Sequence, residues 1–390
     1  MTILLLNCGS SSIKYQLLAA ESKEQLAVGL VERIGLAIGK LKHSVSDDDF
    51  VVERPFTDHT DAVQAVVDAF AEHGPSLDGV QVVGHRTVHG GTTFRDSTLI
   101  TDEVIAKLVE LSDLAPLHNP PGIAGIEAAR QVLPDVPHVG VFDTAFFANL
   151  PAEAYTYAID RDVAEKYQIR KYGFHGTSHR YVSGKAAEFL GKPDAKVIVC
   201  HLGNGASISA VDAGNAIDTS MGLTPLQGLI MGTRSGDVDP GLHKFLAGKG
   251  MSIDEIDTLL NKASGMAGLC GYTDMRDVDA QIAAGNEAAK VAFDVYVHRL
   301  VHYIGGYFAL LGGADALCFT AGVGENDAAV RAAVVNRLAA LGFALDAEAN
   351  QVRSKQARDI AAADSRVRIL VIPTNEELAM AEEALRVIGA

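Results

Sequence analysis

Tryptophan is absent from these 390 residues, and the four cysteines, Cys8, Cys200, Cys270 and Cys318, stand far apart with no CxxC pair. Cysteines so scattered exclude a disulfide framework and a thiolate zinc site, and make reduced thiols in a cytoplasmic protein the expectation. No long uncharged apolar run is present. The most apolar stretch, Val291 to Leu311, carries Asp294, His298, Arg299 and His302. A membrane helix needs ~20 nearly uncharged residues, so a buried core helix is expected there instead. The apolar run at the N-terminus is only about five residues long and lacks a basic leader, so no signal peptide is expected. Basic residues are scarce: 33 Lys and Arg face 49 Asp and Glu, a formal net charge of −16. That balance excludes a general nucleic-acid binder and disfavours anionic membranes, but a few placed arginines can still reverse the field at a small anionic substrate. Two nucleotide signatures are also missing: GxxxxGK[ST], and GxGxxG between a strand and a helix.

What is present is a soluble composition, 48% apolar and 21% charged, in a chain long enough for two domains. Strands alternate with helices, which predicts an α/β class with largely buried sheets. In the first half, strands at Ile3–Leu6, Ile13–Leu18, Leu26–Val31, Val80–Val83 and Val136–Phe142 accompany helices at Asp61–His73, from Thr101 to near Ser112, and from Pro120. In the second half a strand enters HLGNGAS, a long helix is expected over about Val278 to Leu311, and strands follow at Ala316–Thr320 and Val367–Ile372. The expected division is 1–150, joined by a C-terminal helix at 376–390, and 151–375.

Three apolar strands end in glycine-rich segments: Asn7–Ser12 (NCGSSS), His201–Ser207 (HLGNGAS) and Ala321–Asn326 (AGVGEN). Glycine lets backbone N–H groups approach phosphate oxygens, and serine hydroxyls and Lys14 add donors. The three are read as turns, two of them hairpins in similar halves, a pattern that fits a nucleotide held between two related domains. Arg86 (in GHRTVHGG) and Arg234 (in MGTRSGD) lie in short polar stretches rich in glycine and threonine. They read as loop arginines whose guanidinium forks suit a carboxylate or phosphate. The pairs His85/His89 and His175/His179 have metal-ligand spacing but no HExxH glutamate, and glycines crowd both. They are read as loop histidines, some in the core and at least one in a site. Asp143, at the end of an apolar strand, is a helix N-cap or a site carboxylate.

Together LNCGSSSIK, VGHRTVHGG, APLHNPPG, VFDTAFF, YGFHGTSHRYV, HLGNGASI, DTSMGLTPLQGLIMGTRSGDVDPG, TDMRDV, AGVGEN and IPTNEELAMA closely resemble the acetate kinase family, in one order over residues 5 to 381. The resemblance implies two ribonuclease H-like domains of the actin-like ATPase fold with the nucleotide in the cleft between them. It implies magnesium- or manganese-dependent transfer of phosphate between ATP and acetate, and a homodimer. By the same resemblance Asn7 and Glu376 match metal-linked residues, and Ser10, Ser12 and Lys14 belong to the first phosphate turn. His201, Leu202, Gly203, Asn204 and Gly205 match the second phosphate turn. Asp274, Met275 and Arg276, with Gly322, Val323, Gly324, Glu325 and Asn326, match segments around the nucleotide. Arg86, Asp143, His175 and Arg234 match the catalytic set. Val88, Leu117, Phe174 and Pro225 match the pocket for the acetate methyl, and His118 a further active-site histidine. Gln227 stands where many relatives carry Glu, and the segment bearing Cys270 and Tyr272 is shortened, which touches nucleotide affinity or base preference. The alternatives are a propionate or butyrate kinase of the same family, a switch-type actin-like ATPase, and a zinc enzyme built on the histidine pairs.

Overall fold

A computed structural model describes all 390 residues and divides into two compact units, residues 1–148 with 375–390, and residues 149–374. The first unit carries strands β1 (Thr2–Cys8), β2 (Ser12–Ala19), β3 (Gln25–Glu32), β4 (Gly39–Val45), β5 (Asp48–Arg54), β6 (Val80–Thr87), β7 (Thr98–Leu99) and β8 (His138–Phe142). They form one sheet in the order β5-β4-β3-β2-β1-β6-β8-β7. The second unit carries β9 (Lys196–Leu202), β10 (Ala206–Asp212), β11 (Asn215–Thr219), β12 (Ala316–Thr320), β13 (Arg358–Asp359) and β14 (Arg368–Val371), ordered β11-β10-β9-β12-β14-β13.

The two sheets share a plan. In each, three strands meander antiparallel, and two later strands run parallel to the first on its other side: β3-β2-β1-β6-β8 and β11-β10-β9-β12-β14. That 3-2-1-4-5 order is the ribonuclease H-like arrangement. It requires helical crossovers before the parallel strands, and helices at His59–His73 and Asn119–Val132 supply them in the first unit.

Alternation on β1 shows why the sheet is central. Leu4 and Leu6 point into a cluster with Val63, Val66 and Phe70 of helix 59–73. Ile3 and Leu5 point to the other face, against Met380, Ala381 and Ala384 of the C-terminal helix Glu376–Ile388. Each fully buried aliphatic side chain contributes about 1.5–3 kcal/mol, so β1 is stabilised on both faces and carries its ends rigidly. In the second unit β12 is buried throughout and β9 from Val197 to Leu202, with helices Gly176–Leu190 and Glu287–Leu311 packed on the sheet.

Several expectations from the sequence need correction. Residues 278–311 are two helices, Met275–Ala283 and Glu287–Leu311, because Gly285 (φ 84°) ends the first and Asn286 caps the second through Ala288 and Ala289 N–H. AGVGEN is a one-and-a-half-turn helix, Ala321–Asn326, not a turn; Glu325 Oε1 accepts from Ala321 N–H (2.9 Å), closing the first turn. The β4–β5 hairpin, missed because its residues 39–54 are rich in charge, extends the first sheet. Arg86 and His85 lie on β6 rather than in a loop, and His179 lies on helix 176–190.

Candidate active site

The opening of the chain resolves into a hairpin. Asn7 pairs with Lys14 and Cys8 with Ile13, and Gly9 N–H donates to Ser12 O (2.8 Å) across the turn. Ser10 is exposed at its tip. The matching hairpin of the second unit pairs Leu202 with Ala206, and Gly203 N–H donates to Gly205 O (3.0 Å). Both turns sit at the end of the first strand of their sheet, where backbone donors are presented on a rigid support.

In the first unit β6 and β8 run parallel, so Arg86 and Asp143 project from neighbouring strand ends. Arg86 Nε donates to Asp143 Oδ1 (3.1 Å) and Nη2 to Oδ2 (2.7 Å). Asp143 caps no helix, so the N-cap reading falls, and its buried carboxylate is paired with Arg86. The carboxylate raises the Arg86 pKa further above its ordinary value. Asn7, Lys14, Arg86, Glu376 and Glu377 border a cavity of about 320 Å³. The Glu376 carboxyl is raised above the usual range, first by burial and then by the charges of Asp143 and Glu377, against which Arg86 acts. A carboxylate so placed is stabilised by a cation. Asn7 and Glu376 offer only oxygen donors, which suits a hard divalent cation that keeps water and substrate oxygens as further ligands. The pair therefore fits magnesium. The histidine pairs are used otherwise: His85 Nε2 lies 2.9 Å from His138 Nδ1, and His179 lies between two serines.

In the second unit His175 begins helix 176–190 with φ 59°, a left-handed conformation uncommon for a side-chain-bearing residue and typical of strained functional positions. Its ring stacks on His201 with centroids 4.3 Å apart, and Nδ1 is 2.9 Å from Ser207 Oγ. Arg234 lies in the loop that follows Gly232. Gly232 N–H donates to Asn204 O (3.0 Å), and a Cβ at Gly232 would come within 2.0 Å of Asn204 Oδ1, so glycine is what lets this loop approach the β9–β10 turn. A Cβ built on Gly205 would lie 3.6 Å from the His175 ring and 3.8 Å from Arg234 Nη1. His175, Gly205 and Arg234 thus surround one small volume. Arg234 Nη1 donates to Pro225 O (3.2 Å), and the half-buried guanidinium has no carboxylate partner. Burial lowers its pKa, as expected for an uncompensated cation.

A cavity of about 730 Å³ in the same unit is lined by Gly203, Asn204, Asp274, Met275, Arg276, Gly322, Val323, Glu325 and Asn326. His201, Leu202, Gly205 and Gly324 lie outside its wall. Asp274 caps helix 275–283 and is paired with Arg276, which holds its carboxyl down at about 2. Glu325 turns inward, accepting from Ala321 and Thr374 N–H, so it supports the wall rather than offering a free carboxylate. Residues the sequence did not single out also line the cavity: Asp279, Tyr296, Asp327 and Arg331. Arg331 is buried and donates to Gly324 O (2.9 Å) and Asn350 Oδ1 (2.8 Å). Its only sequence signal is its position five residues after the GEN motif.

The apolar set is divided between units. Val88, Leu117 and His118 belong to the first, Phe174 and Pro225 to the second. Phe174 is buried, Val88 and Pro225 are half-buried, and Leu117 is 71% exposed. His118 is exposed at the start of helix 119–132. Gln227 Oε1 accepts from the Tyr157 hydroxyl at 2.6 Å, so the neutral side chain is held inside the fold.

Two units of the same sheet order, glycine-rich turns at the first strand of each, a nucleotide-sized cavity and an arginine awaiting an anion define a phosphotransferase of the actin-like ATPase class. More narrowly, the chain belongs to the acetokinase family, whose profile matches residues 2–382. It is 54% identical over 388 residues to the acetate kinase of Clavibacter michiganensis subsp. michiganensis, covering 98% of each chain. Its structure is similar to that of Porphyromonas gingivalis acetate kinase (TM-score 0.96, 43% identity, 99% of each chain) and to that of a propionate kinase from Francisella tularensis (TM-score 0.93, 42% identity, 99% of each chain). Members of the family are phosphotransferases with a carboxyl group as acceptor, using ATP and ADP.

Proposed function

We propose that this chain transfers the γ-phosphoryl group of ATP directly and in line to acetate, reversibly, giving acetyl phosphate and ADP. The observation that carries the reading is Arg234, a half-buried guanidinium with no carboxylate partner, beside His175 and a glycine turn. A cation in that setting is stabilised by an anionic group that arrives and leaves.

Acetate is already ionised at neutral pH, so its oxygen attacks phosphorus without a general base. A carboxylate oxygen–phosphorus bond forms as the bond from phosphorus to the β-phosphate oxygen breaks, and ADP leaves with that electron pair. Such a transfer depends on positioning and on neutralising charge at the moving group. Arg86 is assigned to the acetate carboxylate. Asp143 occupies its Nε and one Nη2 hydrogen, which orients the fork and leaves Nη1 for the substrate. Arg234 and His175 are assigned to the equatorial phosphoryl oxygens. Val88, Leu117, Phe174 and Pro225 are assigned to the methyl group and His118 to the same pocket; Ser10, Ser12 and Lys14 with the His201–Gly205 turn are assigned to the phosphates. Asn7 and Glu376 would hold magnesium, which when bound neutralises phosphate charge.

A homodimer is part of the proposal. Val291, Val295, Gly306 and Leu310 leave an exposed, largely uncharged stripe along helix 287–311 (Val291 55%, Leu310 61%), the kind of face a second copy would cover. A cytoplasmic location is proposed from the four free thiols. No helix is long and apolar enough to cross a membrane.

Trapping acyl phosphate with hydroxylamine, using MgATP with acetate, propionate or butyrate in turn, tests the reading. The highest kcat/KM with acetate is expected. Preference for a longer acid would keep the chemistry and change the substrate, since one methylene is worth only ~1–3 kcal/mol. ATP hydrolysis with no acyl phosphate would overturn the proposal in favour of a switch-type ATPase. Ping-pong kinetics would replace direct transfer by a phosphorylated enzyme.

A further inference from the structure

Two serines on β10 reach the His175 ring through a buried chain of hydrogen bonds. Ser207 and Ser209 are two residues apart on a strand and therefore face the same side. His179 sits against both: its Nε2 is 2.7 Å from Ser207 Oγ and its Nδ1 is 2.7 Å from Ser209 Oγ. Ser207 Oγ is also 2.9 Å from His175 Nδ1. The connection runs Ser209–His179–Ser207–His175, and Ser207, Ser209 and His179 are all 0% exposed.

Counting protons gives the chain a direction. The Ser209 hydroxyl has one hydrogen, and its hydrogen-bond partner is His179 Nδ1. Leaving a buried hydroxyl hydrogen without an acceptor is costly, so Ser209 donates. His179 is kept neutral by burial and by neighbouring His201, so its single proton is on Nε2 and is donated to Ser207 Oγ. The Ser207 hydrogen then goes to His175 Nδ1. We infer that Ser207, His179 and Ser209 are positioning residues that lock His175 as the neutral tautomer with its proton on Nε2.

The surroundings agree. His201 from β9 stacks on the His175 ring, His179 stands one turn along its own helix, and Arg234 reaches the space beside Gly205. His201 is itself tethered, its Nδ1 2.8 Å from Ser178 Oγ, which also meets Thr374 Oγ1 at 2.9 Å. The left-handed backbone at His175 makes no side-chain cap for its helix and turns the ring to Ser207 instead. Two chemical consequences follow. His175 acts on the phosphoryl group as an N–H hydrogen-bond donor. It also lacks a lone pair on Nε2, so phosphorylation there would require every bond in the relay to reverse and would leave the Ser209 hydrogen without an acceptor.

This inference builds on the assignment of His175 to the moving phosphoryl group, and the two can fail separately. The decisive measurement is the long-range ¹⁵N–¹H histidine spectrum of the resting wild-type protein, with the His175 signals assigned by their loss in His175→Gln. The Nε2–H tautomer is expected across neutral pH; an Nδ1–H tautomer would overturn the relay whatever any variant does. Ser207→Ala is expected to give mixed tautomers and to lower kcat by about 10–100-fold, as for other outer hydrogen-bond partners of functional histidines, with KM values nearly unchanged. Ser207→Thr, which keeps the hydroxyl, is expected to restore most of kcat. Unchanged kcat in folded Ser207→Ala would also overturn the proposal. If His175→Gln keeps wild-type kcat, the assignment of His175 to transfer fails while the spectrum still judges the relay.

Discussion

Asp143 grips Arg86 at two points, Nε to Oδ1 at 3.1 Å and Nη2 to Oδ2 at 2.7 Å, from the end of the neighbouring parallel strand. The carboxylate is 4% exposed and the guanidinium 27%. Replacing Asp143 by Asn keeps the shape but removes the counter-charge and half of the directed geometry. Because Arg86 is partly solvated, the expected loss of stability is about 1–3 kcal/mol, below the range for a fully buried pair. Activity is expected to fall on the order of 10²-fold, because an arginine released from its grip no longer presents a fixed fork to acetate. Urea unfolding and steady-state kinetics over a magnesium titration check this. A variant with wild-type rate and magnesium dependence would show that the grip serves packing alone.

Arg234 has no such partner, so its removal relieves an uncompensated cation rather than creating one. Arg234→Ala is expected to fold normally and to lose on the order of 10³-fold in kcat, the scale of other cationic stabilisers of phosphoryl transfer. Arg234→Lys should recover only part, since a point charge does not reproduce a planar fork. A large rise in KM for acetate with kcat unchanged would move Arg234 from the phosphoryl group to the acid.

Buried imidazoles make stability depend on pH. His43, His85, His89, His138 and His179 are all pushed below the ordinary value of 6.5 by burial, His89 to about 4. His138 donates from Nε2 to Leu133 O, so His85 donates from Nε2 to His138 Nδ1, and both rings are neutral. In the unfolded chain these groups take up protons as pH falls through 6.5, while the folded protein resists until the lowered values are reached. Stability is therefore full above about pH 6.5 and is lost as pH falls from there toward 4, at about 1.4 kcal/mol per pH unit for each group that stays neutral only when folded. Denaturant midpoints at pH 7.5, 6 and 5 check the sign; a midpoint that rises on acidification would contradict it.

Gly205 offers a direct probe of the small volume between His175 and Arg234. A methyl group there would lie 3.6 Å from the ring and 3.8 Å from Nη1, ordinary van der Waals contact. Gly205→Ala is expected to leave the thermal midpoint nearly unchanged and to lower kcat by about tenfold or more, because the methyl takes space meant for phosphoryl oxygens. Wild-type turnover in the variant would place the moving group elsewhere.

Much of the fold was legible because its strands are short apolar runs ended by glycine, and the hairpins at Asn7–Lys14 and Leu202–Ala206 announce themselves by that break. The misreadings have local causes. The helical pattern around 278–311 continues through Gly285, so periodicity alone does not show the stop that a positive φ and the Asn286 cap impose. AGVGEN reads as a turn because its glycines disfavour a helix by about 1 kcal/mol each, a cost offset by the Glu325 carboxylate bonding back to Ala321.

The sequence by itself determined the family, the alternation of strands and helices, and the residue types able to meet two anions, since these lie in contiguous stretches whose chemistry is local. Tertiary structure decided which of those residues act as pairs. Arg86 and Asp143 are 57 positions apart, His175 and Ser207 are 32 apart, and parallel pairing or helix-on-sheet packing is what joins them. A guanidinium is a structural ion-pair member or an open anion site according to what stands within about 3 Å of it, and that distance is set by neighbours remote in the chain.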